Sequence, residues 1–562
     1  MNTDNMIRWS LTLGLGVAAF FFWWLGHPEL LSFHEQNQLF LFTSDYFMDR
    51  VCVAGGLAEY VGDCLVQFYY YPSVGAAIMG TTLIVLMSLL YQALLCHLKG
   101  WRWAAITIAL AGTLLMWAHM LDENTMLSYP IALIMTLVTY LLCRRGGWGV
   151  QLLAIFPLYW IAGPVFVVLP FFAMCDAWRD KHWTQALLAS LLLTGASVGW
   201  VYLCRTLWFA QYPWDTVLAG IGYYRLTLFT CNAPHTQYDV LLYPLVIGLC
   251  ATWISRGLDY LLNPRHPMAE WISTSVIVVV MSLPLYWAFV TDSPHDLNTH
   301  VILEQTYQIR KGDWHGIITK AEAYKQQDVS ALKSPLSCGA VNLALAKTGQ
   351  LASRMFEFPQ AGIQGLIMPN VRDNVSNVTT METFWHLGFV NESMRYAFDS
   401  QESIPNCRKS ARFTKRMAEC NIVNGKYDVA SKYIDMLRHT LFYRDWAEQA
   451  AGCLYDEAKI NSTQEWQTRR ALRLENDFLY YYPELSKMLG QLVLHHRDNR
   501  MAYDYFMASL LLTGDTRSFV ANLPQPPQQG TDPFPHGYKD YYEYMQEHGT
   551  PSDIVTSATS LQ

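Results

Sequence analysis

Long apolar runs confine what this chain can fold into. Runs near 7–26, 74–96, 103–120, 127–143, 185–204, 239–255 and 270–291 all fall in the first 291 residues, and each approaches the roughly twenty residues that a helix needs to cross a bilayer. The region 149–175, "GVQLLAIFPLYWIAGPVFVVLPFFAMC", is longer and is interrupted by Gly163-Pro164. It reads as two short helices with a turn between them, a break that is tolerated where protein or a water-filled cavity covers the freed backbone groups. The expectation is an all-α, polytopic transmembrane bundle of about nine spans. Residues 7–25 are followed by "WWLGHPELL", which has no small-x-small cleavage pattern, so the first run reads as a retained span.

After residue 291 the character changes to that of a soluble protein, rich in Lys, Arg, Asp and Glu. The overall 52% hydrophobic content is therefore the average of two unlike halves. Three parts follow: a transmembrane domain over 1–291 with a long loop at 27–73, a helical domain over 292–523, and a Pro-rich extended segment with a short helix and tail over 524–562. A net charge of -7 with no basic stripe argues against nucleic acid as a partner. The twelve cysteines are scattered singly, Cys52/Cys64 and Cys407/Cys420 being the nearest neighbours, and no CxxC or Cys/His cluster has zinc spacing. Walker A, GxGxxG, HExxH and GxSxG motifs are all missing from the sequence.

Charge sets the expected topology. Arg8, Lys99/Arg102, Arg144/Arg145, Arg179/Lys181 and Arg256/Arg265 fall on one side if the N-terminus is cytoplasmic. The loop 27–73, "HMLDENTM", the Gly163-Pro164 turn, 205–238 and everything after 291 then face the other way. For a bacterial inner membrane that side is the periplasm.

From residue 300 onward, helix–turn–helix stretches recur, among them "LEQTYQIRKGDWHGIITKAEAY", "NLALAKTGQLASRMF", "HLGFVNESMRYAFDS" and "MAECNIVNGKYDVASKYIDML". Their turns at Gly312, Gly349, Asn391 and Gly425 approximate the period of tetratricopeptide arrays, and the region resembles that family over about 200 residues. The resemblance implies a curved α-helical solenoid that holds a protein or peptide.

The stretch "GHPELLSFHEQNQLFLFTSDYFMDR" places Glu29, His34, Glu35, Asp45 and Asp49 directly after the first apolar run. A long acidic first outer loop with amphipathic candidates, here "EQNQLFLFTSDYFMDRV" and "LAEYVGDCLVQFYYY", resembles the GT-C superfamily of membrane glycosyltransferases. That likeness implies a polyprenyl-phosphate-linked sugar donor, with Glu35, or else Asp45, as the essential acid. A partly buried carboxylate can serve there as a base because burial raises its pKa toward the working range. The second outer loop carries Asp122 and Glu123, matching the acidic pair with which metal-dependent members hold Mg²⁺ or Mn²⁺, although here the acids are adjacent rather than spaced. His119 lies beside this loop. In a later loop Arg225 is the expected grip for a lipid phosphate, with Arg205 second and His34 and His235 as supporting groups. The strings "HEQNQLFLFT", "GGLAEYVGD" and "QFYYYP" are also similar to an uncharacterised family of bacterial multi-pass proteins. Three functions are therefore expected in order: a glycosyltransferase or oligosaccharyltransferase-like enzyme, a membrane-anchored scaffold for envelope assembly, and a transporter. The last ranks lowest because transporters carry ionisable residues within their spans.

Overall fold

The computed structural model describes residues 3–98, 101–180, 182–220, 297–371, 373–404, 408–474 and 484–523, with isolated positions at 274–286 and 538–543. Every extended element among them is helical, and no strand occurs among the described residues. The chain divides near residue 295 into two compact units.

The first unit contains α1 (Thr3–Phe21), α2 (Pro28–Gln36), α3 (Ser44–Val51), α4 (Gly56–Val66), α5 (Pro72–His97), α6 (Arg102–His119), α7 (Ser128–Cys143), α8 (Gly147–Ala162), α9 (Val168–Asp180), α10 (Trp183–Leu207) and α11 (Trp214–Ala219). Four helical stretches are long and apolar enough to cross a membrane: Met6–Gly26, Pro72–His97, Ser128–Arg179 and Trp183–Leu207. The protein is membrane-associated. The expected run at 103–120 forms α6, which is not one of the four; its polar ends, Arg102 and His119, make it less apolar than its neighbours. The expected runs at 239–255 and 270–291 lie almost wholly outside the described residues.

Ser128–Arg179 is 52 residues long, more than twice one crossing, and it folds back on itself. Short 3₁₀ turns at Arg144–Gly146 and Gly163–Val167 separate α7, α8 and α9. The second turn lies at the Gly163-Pro164 break expected from the sequence, where Gly163 takes φ +54°. Tyr140 and Arg144 at the end of α7 both bond Asp176 near the end of α9. These two helices therefore run the same way, with α8 returning between them. By the same logic α5 ends beside α7, because Nε2 of His97 meets the Tyr140 hydroxyl at 2.9 Å.

The unit thus has two chemically distinct ends. One gathers Arg102, Arg144, Arg145 and Arg179. The other gathers Glu29, Glu35, Glu59, Asp63, Asp122 and Glu123, and is tied together by Phe22 against Trp117 and by the Gly55 N–H donating to the Trp160 carbonyl. Between the ends, packing is by small residues. A Cβ on Gly80 would lie 2.7 Å from the Gly16 carbonyl oxygen, so α1 and α5 approach backbone to backbone, as glycines permit in helices packed without help from water.

The loop 27–73 folds differently from its amphipathic pattern. Its first candidate, 35–51, is not one helix. The chain leaves α2 at Asn37, runs non-helically, and restarts at Ser44, where the Thr43 side chain accepts from the Tyr46 N–H as an N-cap. Helix α2 is buried on nearly every side, whereas α3 buries no residue and leaves Phe47 and Met48 exposed.

The second unit is a series of helix pairs: Leu297–Lys311 with Trp314–Gln326, Pro335–Lys347 with Leu351–Arg354, Asn377–Leu387 with Val390–Glu402, Ala411–Val423 with Tyr427–Arg438, and Leu485–His495 with Arg500–Leu512. Gly312, Gly349, Gly388 and Gly425 turn the first four pairs at φ of +69°, +71°, +106° and +71°. The third turn is Gly388 and not Asn391, which lies inside the following helix. The left-handed conformation explains the difference, since glycine adopts it without a Cβ penalty. The corrected turns stand 37, 39 and 37 residues apart, more even than the sequence pattern indicated.

Gly80→Val forces α1 away from α5 and lowers the unfolding midpoint of the detergent-solubilised protein, at a cost of about 1–3 kcal/mol. Gly195→Val, whose Cβ meets nothing within 4 Å, leaves the midpoint in place. Equal midpoints for the two variants would show that the α1–α5 contact does not matter.

Candidate functional site at the acidic end

Helix α2 starts with Pro28 at its first position and Glu29 in its first turn, a favourable pairing with the helix dipole. Glu29 Oε1 also meets His27 Nδ1 at 3.0 Å. Glu29, His34 and Glu35 are all buried, and Glu35 is only 3% exposed. A buried carboxylate is costly to hold, and a helix that buries two, together with a histidine, is not explained by apolar packing alone.

The residues after α2 tie it to α4. The Gln38 side chain donates to the Asp63 carbonyl at 2.9 Å, and the Tyr46 hydroxyl donates to Asp63 Oδ2 at 3.3 Å. Arg50 pairs with Glu59 at 3.1 Å. Glu59 and Asp63 sit one turn apart on α4 and are both buried. Asp45, the alternative acid, is exposed in the first turn of α3, where among the described residues only Ser44 Oγ donates to it, at 3.4 Å. There it complements the helix dipole.

The second loop forms a compact polar turn. Asp122 Oδ1 accepts from the Asn124 N–H at 2.9 Å and from its side-chain amide at 3.0 Å, and Glu123 Oε1 accepts from the same amide at 3.2 Å. Thr125 Oγ1 contacts His119 Nε2 at 3.4 Å, and the imidazole packs edge-on against Tyr129. All of these residues are buried. The two loops meet at Gly62, where a Cβ would lie 2.8 Å from the Ser128 nitrogen. A continuous polar layer therefore runs from α2 through Asp63 to Ser128 and the Asp122–Asn124 turn.

Arg205 lies near the end of α10, with its guanidinium 5.3 Å from the Trp214 ring centre. Arg225 and His235 lie outside the described residues. Asp63, Glu59, Gln38 and Asn124 belong to the polar layer but were not singled out from the sequence. The one available signal was the Glu59/Asp63 spacing, which puts both acids on one face of α4.

The second unit has a charged centre of its own, equally absent from the sequence reading. Glu382 accepts from Arg412 at 3.1 Å and from Arg416 at 2.7 Å. The guanidinium groups of Arg416 and Arg469 both lie over the Trp385 ring, 4.3 and 5.6 Å from its centre. Arg469 also contacts His386 Nδ1 at 2.8 Å, and Lys347 approaches the same nitrogen at 3.4 Å. Burial disfavours the Glu382 carboxylate, yet Arg416 and Arg412 outweigh it and hold the pKa down to about 2. Burial, followed by the neighbouring Arg469 and Lys347 charges, pushes His386 well below its ordinary 6.5. The network pins Gln464–Leu472 against Asn377–Leu387 and Ala411–Val423.

The pH dependence follows in sign. His386 stays neutral in the folded state while the unfolded chain takes up its proton below about 6.5, so its contribution is complete above that pH and is lost as pH falls through it. Glu382 contributes fully above 4.5 and loses its contribution between there and about 2. Asp504, whose carboxyl pKa burial raises to about 6, acts in the opposite sense over the same range, so His386 is read from the difference: between pH 7 and 5.5 the urea midpoint of wild type should lose ground against that of His386→Asn, which keeps an acceptor for Arg469. An equal slope in both would remove His386 from the account.

No curated protein and no solved structure matches the chain. A family of unknown function, DUF6057, matches residues 5–550. Covering nearly the whole length, this match shows that the chain is a member of the DUF6057 family.

Proposed function

We propose that the protein is a multi-pass glycosyltransferase of the GT-C kind, acting at the outer face of a bacterial inner membrane on a polyprenyl-phosphate-linked sugar. In this reading the N-terminus is cytoplasmic, the unit has about nine spans, and the acidic end and the second unit face the periplasm. The carrying observation is Glu35, 3% exposed on a buried helix directly after the first apolar stretch. The arginines at the opposite end support the orientation, because cytoplasmic ends are enriched in basic residues.

The chemistry asked of the site is one displacement. An acceptor hydroxyl gives its proton to Glu35, its oxygen bonds the anomeric carbon, and the carbon–oxygen bond to phosphate breaks with the electron pair leaving on the lipid phosphate. Arg225 and Arg205 are the proposed cations for that phosphate. His34, His119 and His235 are proposed to orient these groups. The expected Mg²⁺ or Mn²⁺ finds a poor fit at Asp122 and Glu123. Each acid already shares an oxygen with Asn124, and among the described residues no further His, Cys, Asp or Glu completes a three-ligand group with them. No step is routed through a metal.

The helix pairs of the second unit, with their evenly spaced glycine turns, favour a tetratricopeptide-like solenoid that holds the acceptor or a partner protein. Exposed Phe398 and Val429 on these helices, with Leu441 and Tyr455 in turns nearby in the chain, also favour a second reading, a membrane-anchored scaffold for envelope assembly. A scaffold tolerates loss of Glu35; an enzyme does not.

Reconstituted protein supplied with polyprenyl-phosphate hexoses and pentoses should release polyprenyl phosphate. Glu35→Gln should slow this by roughly 10²–10⁴-fold, while Asp45→Asn stays near wild type. Wild-type protein that consumes none of these donors, or a Glu35→Gln variant as active as wild type, would sink the enzyme reading.

A further inference from the structure

At the arginine-rich end, a cavity of about 440 Å³ opens between the ends of α7 and α9 and the start of α8. Its lining includes Arg144, Arg145, Trp148, Gln151 and Asp176. Arg144 is already spent on Asp176, with Nε and Nη2 reaching the two carboxylate oxygens at 3.0 and 3.2 Å. Arg145 is exposed and has no ion-pair partner among the described residues. The lining therefore carries one uncompensated positive charge.

Gln151 is the decisive residue. It is 2% exposed, lines the cavity, and makes no hydrogen bond to any described residue. Its amide reaches the cavity rather than being sealed within protein, so a ligand there can supply the partner that the amide lacks. The sequence "RRGGWGVQ" also makes the approach open. Gly147 takes φ +75°, and a Cβ at Gly147 or Gly149 would meet nothing within 4 Å. No side chain therefore crowds those two positions at the start of α8, a helix of 16 residues; the Gly147 N–H is taken by the Arg144 carbonyl, and helix N-termini attract anions through their remaining N–H groups and dipole.

We propose that this cavity binds a phosphate ester, gripped by Arg145, by the Gln151 amide and by the first turn of α8, with Trp148 as an apolar wall. The donors suit phosphate, which offers several acceptor oxygens to a guanidinium fork and an amide together. The volume leaves room for a few atoms beyond the phosphate, such as a glycerol. Two sources share this chemistry: the headgroup of an anionic lipid, which basic pockets between membrane helices recognise, and a free phosphate ester. The inference stands apart from glycosyl transfer and uses the opposite end of the unit.

The test is the thermal midpoint of the purified full chain in nonionic detergent, titrated with phosphatidylglycerol, with diacylglycerol lacking phosphate, and with glycerol 3-phosphate. A ligand of the folded state raises the midpoint by an amount that grows with the logarithm of one plus the ratio of ligand concentration to Kd. Phosphatidylglycerol should raise it above diacylglycerol. A parallel rise with glycerol 3-phosphate identifies a free phosphate ester as sufficient, and a rise with the lipid alone identifies the headgroup in its leaflet. Arg145→Ala and Gln151→Leu should each raise about tenfold the ligand concentration needed for a given rise while keeping the ligand-free midpoint. Arg102→Ala, an exposed arginine at the same end that does not line the cavity, should keep the response. The proposal fails if neither phosphate compound outdoes diacylglycerol, if the two cavity variants respond like wild type, or if Arg102→Ala costs as much as Arg145→Ala.

Discussion

Hydrocarbon leaves no partner for a polar group, and that constraint arranges the first unit. Along α5, α6 and α7 the hydroxyls turn back on their own helix, as Thr82, Thr113 and Thr136 do toward the carbonyl four residues earlier. The charged groups collect at the two ends. At one end Asp176 holds Arg144 and Arg179 and accepts from the Tyr140 hydroxyl. At the other, buried carboxylates from α2, α4 and the second loop form a layer closed by Gly62 against Ser128. Glycine is required at that crossing, since any side chain would part the loops and open the layer.

The two ends differ in sign and in what their buried groups need. The acidic end holds carboxylates from elements far apart in sequence, which repel unless bound by donors or placed for chemistry. The arginine end holds a cavity with a surplus cation and an unbonded amide. Both are polar sites assembled on rigid helices, and both rest on close helix packing.

The helical class, the change of character near residue 291 and the break at Gly163-Pro164 were legible in the sequence because each depends on local periodicity, hydropathy or backbone freedom. Glu35 was legible as a candidate because it follows the first apolar run. Its burial was not, since "EQNQLFLFTSDYFMDRV" reads as one amphipathic helix until the Thr43 cap is seen to restart it. The Gly388 turn was missed because the following asparagine is also a turn former; φ of +106° decides between them. Gln151 was invisible for another reason. A lone glutamine in an apolar helix carries no pattern, and its meaning comes only from the cavity beside it. The Glu382–Arg416–Trp385–Arg469 network likewise joins residues up to about ninety positions apart, beyond the reach of any periodicity.

The account depends most on the two ends of the first unit lying on opposite sides of a membrane. The direct measurement is labelling of single cysteines, introduced at Asp45 and at Arg145 in a cysteine-free background, with a membrane-impermeant thiol reagent in intact cells whose outer envelope has been made permeable. Both positions are exposed. The account predicts that Asp45→Cys is labelled at once and that Arg145→Cys is labelled only after the inner membrane is disrupted. Labelling of both from the same side would contradict it.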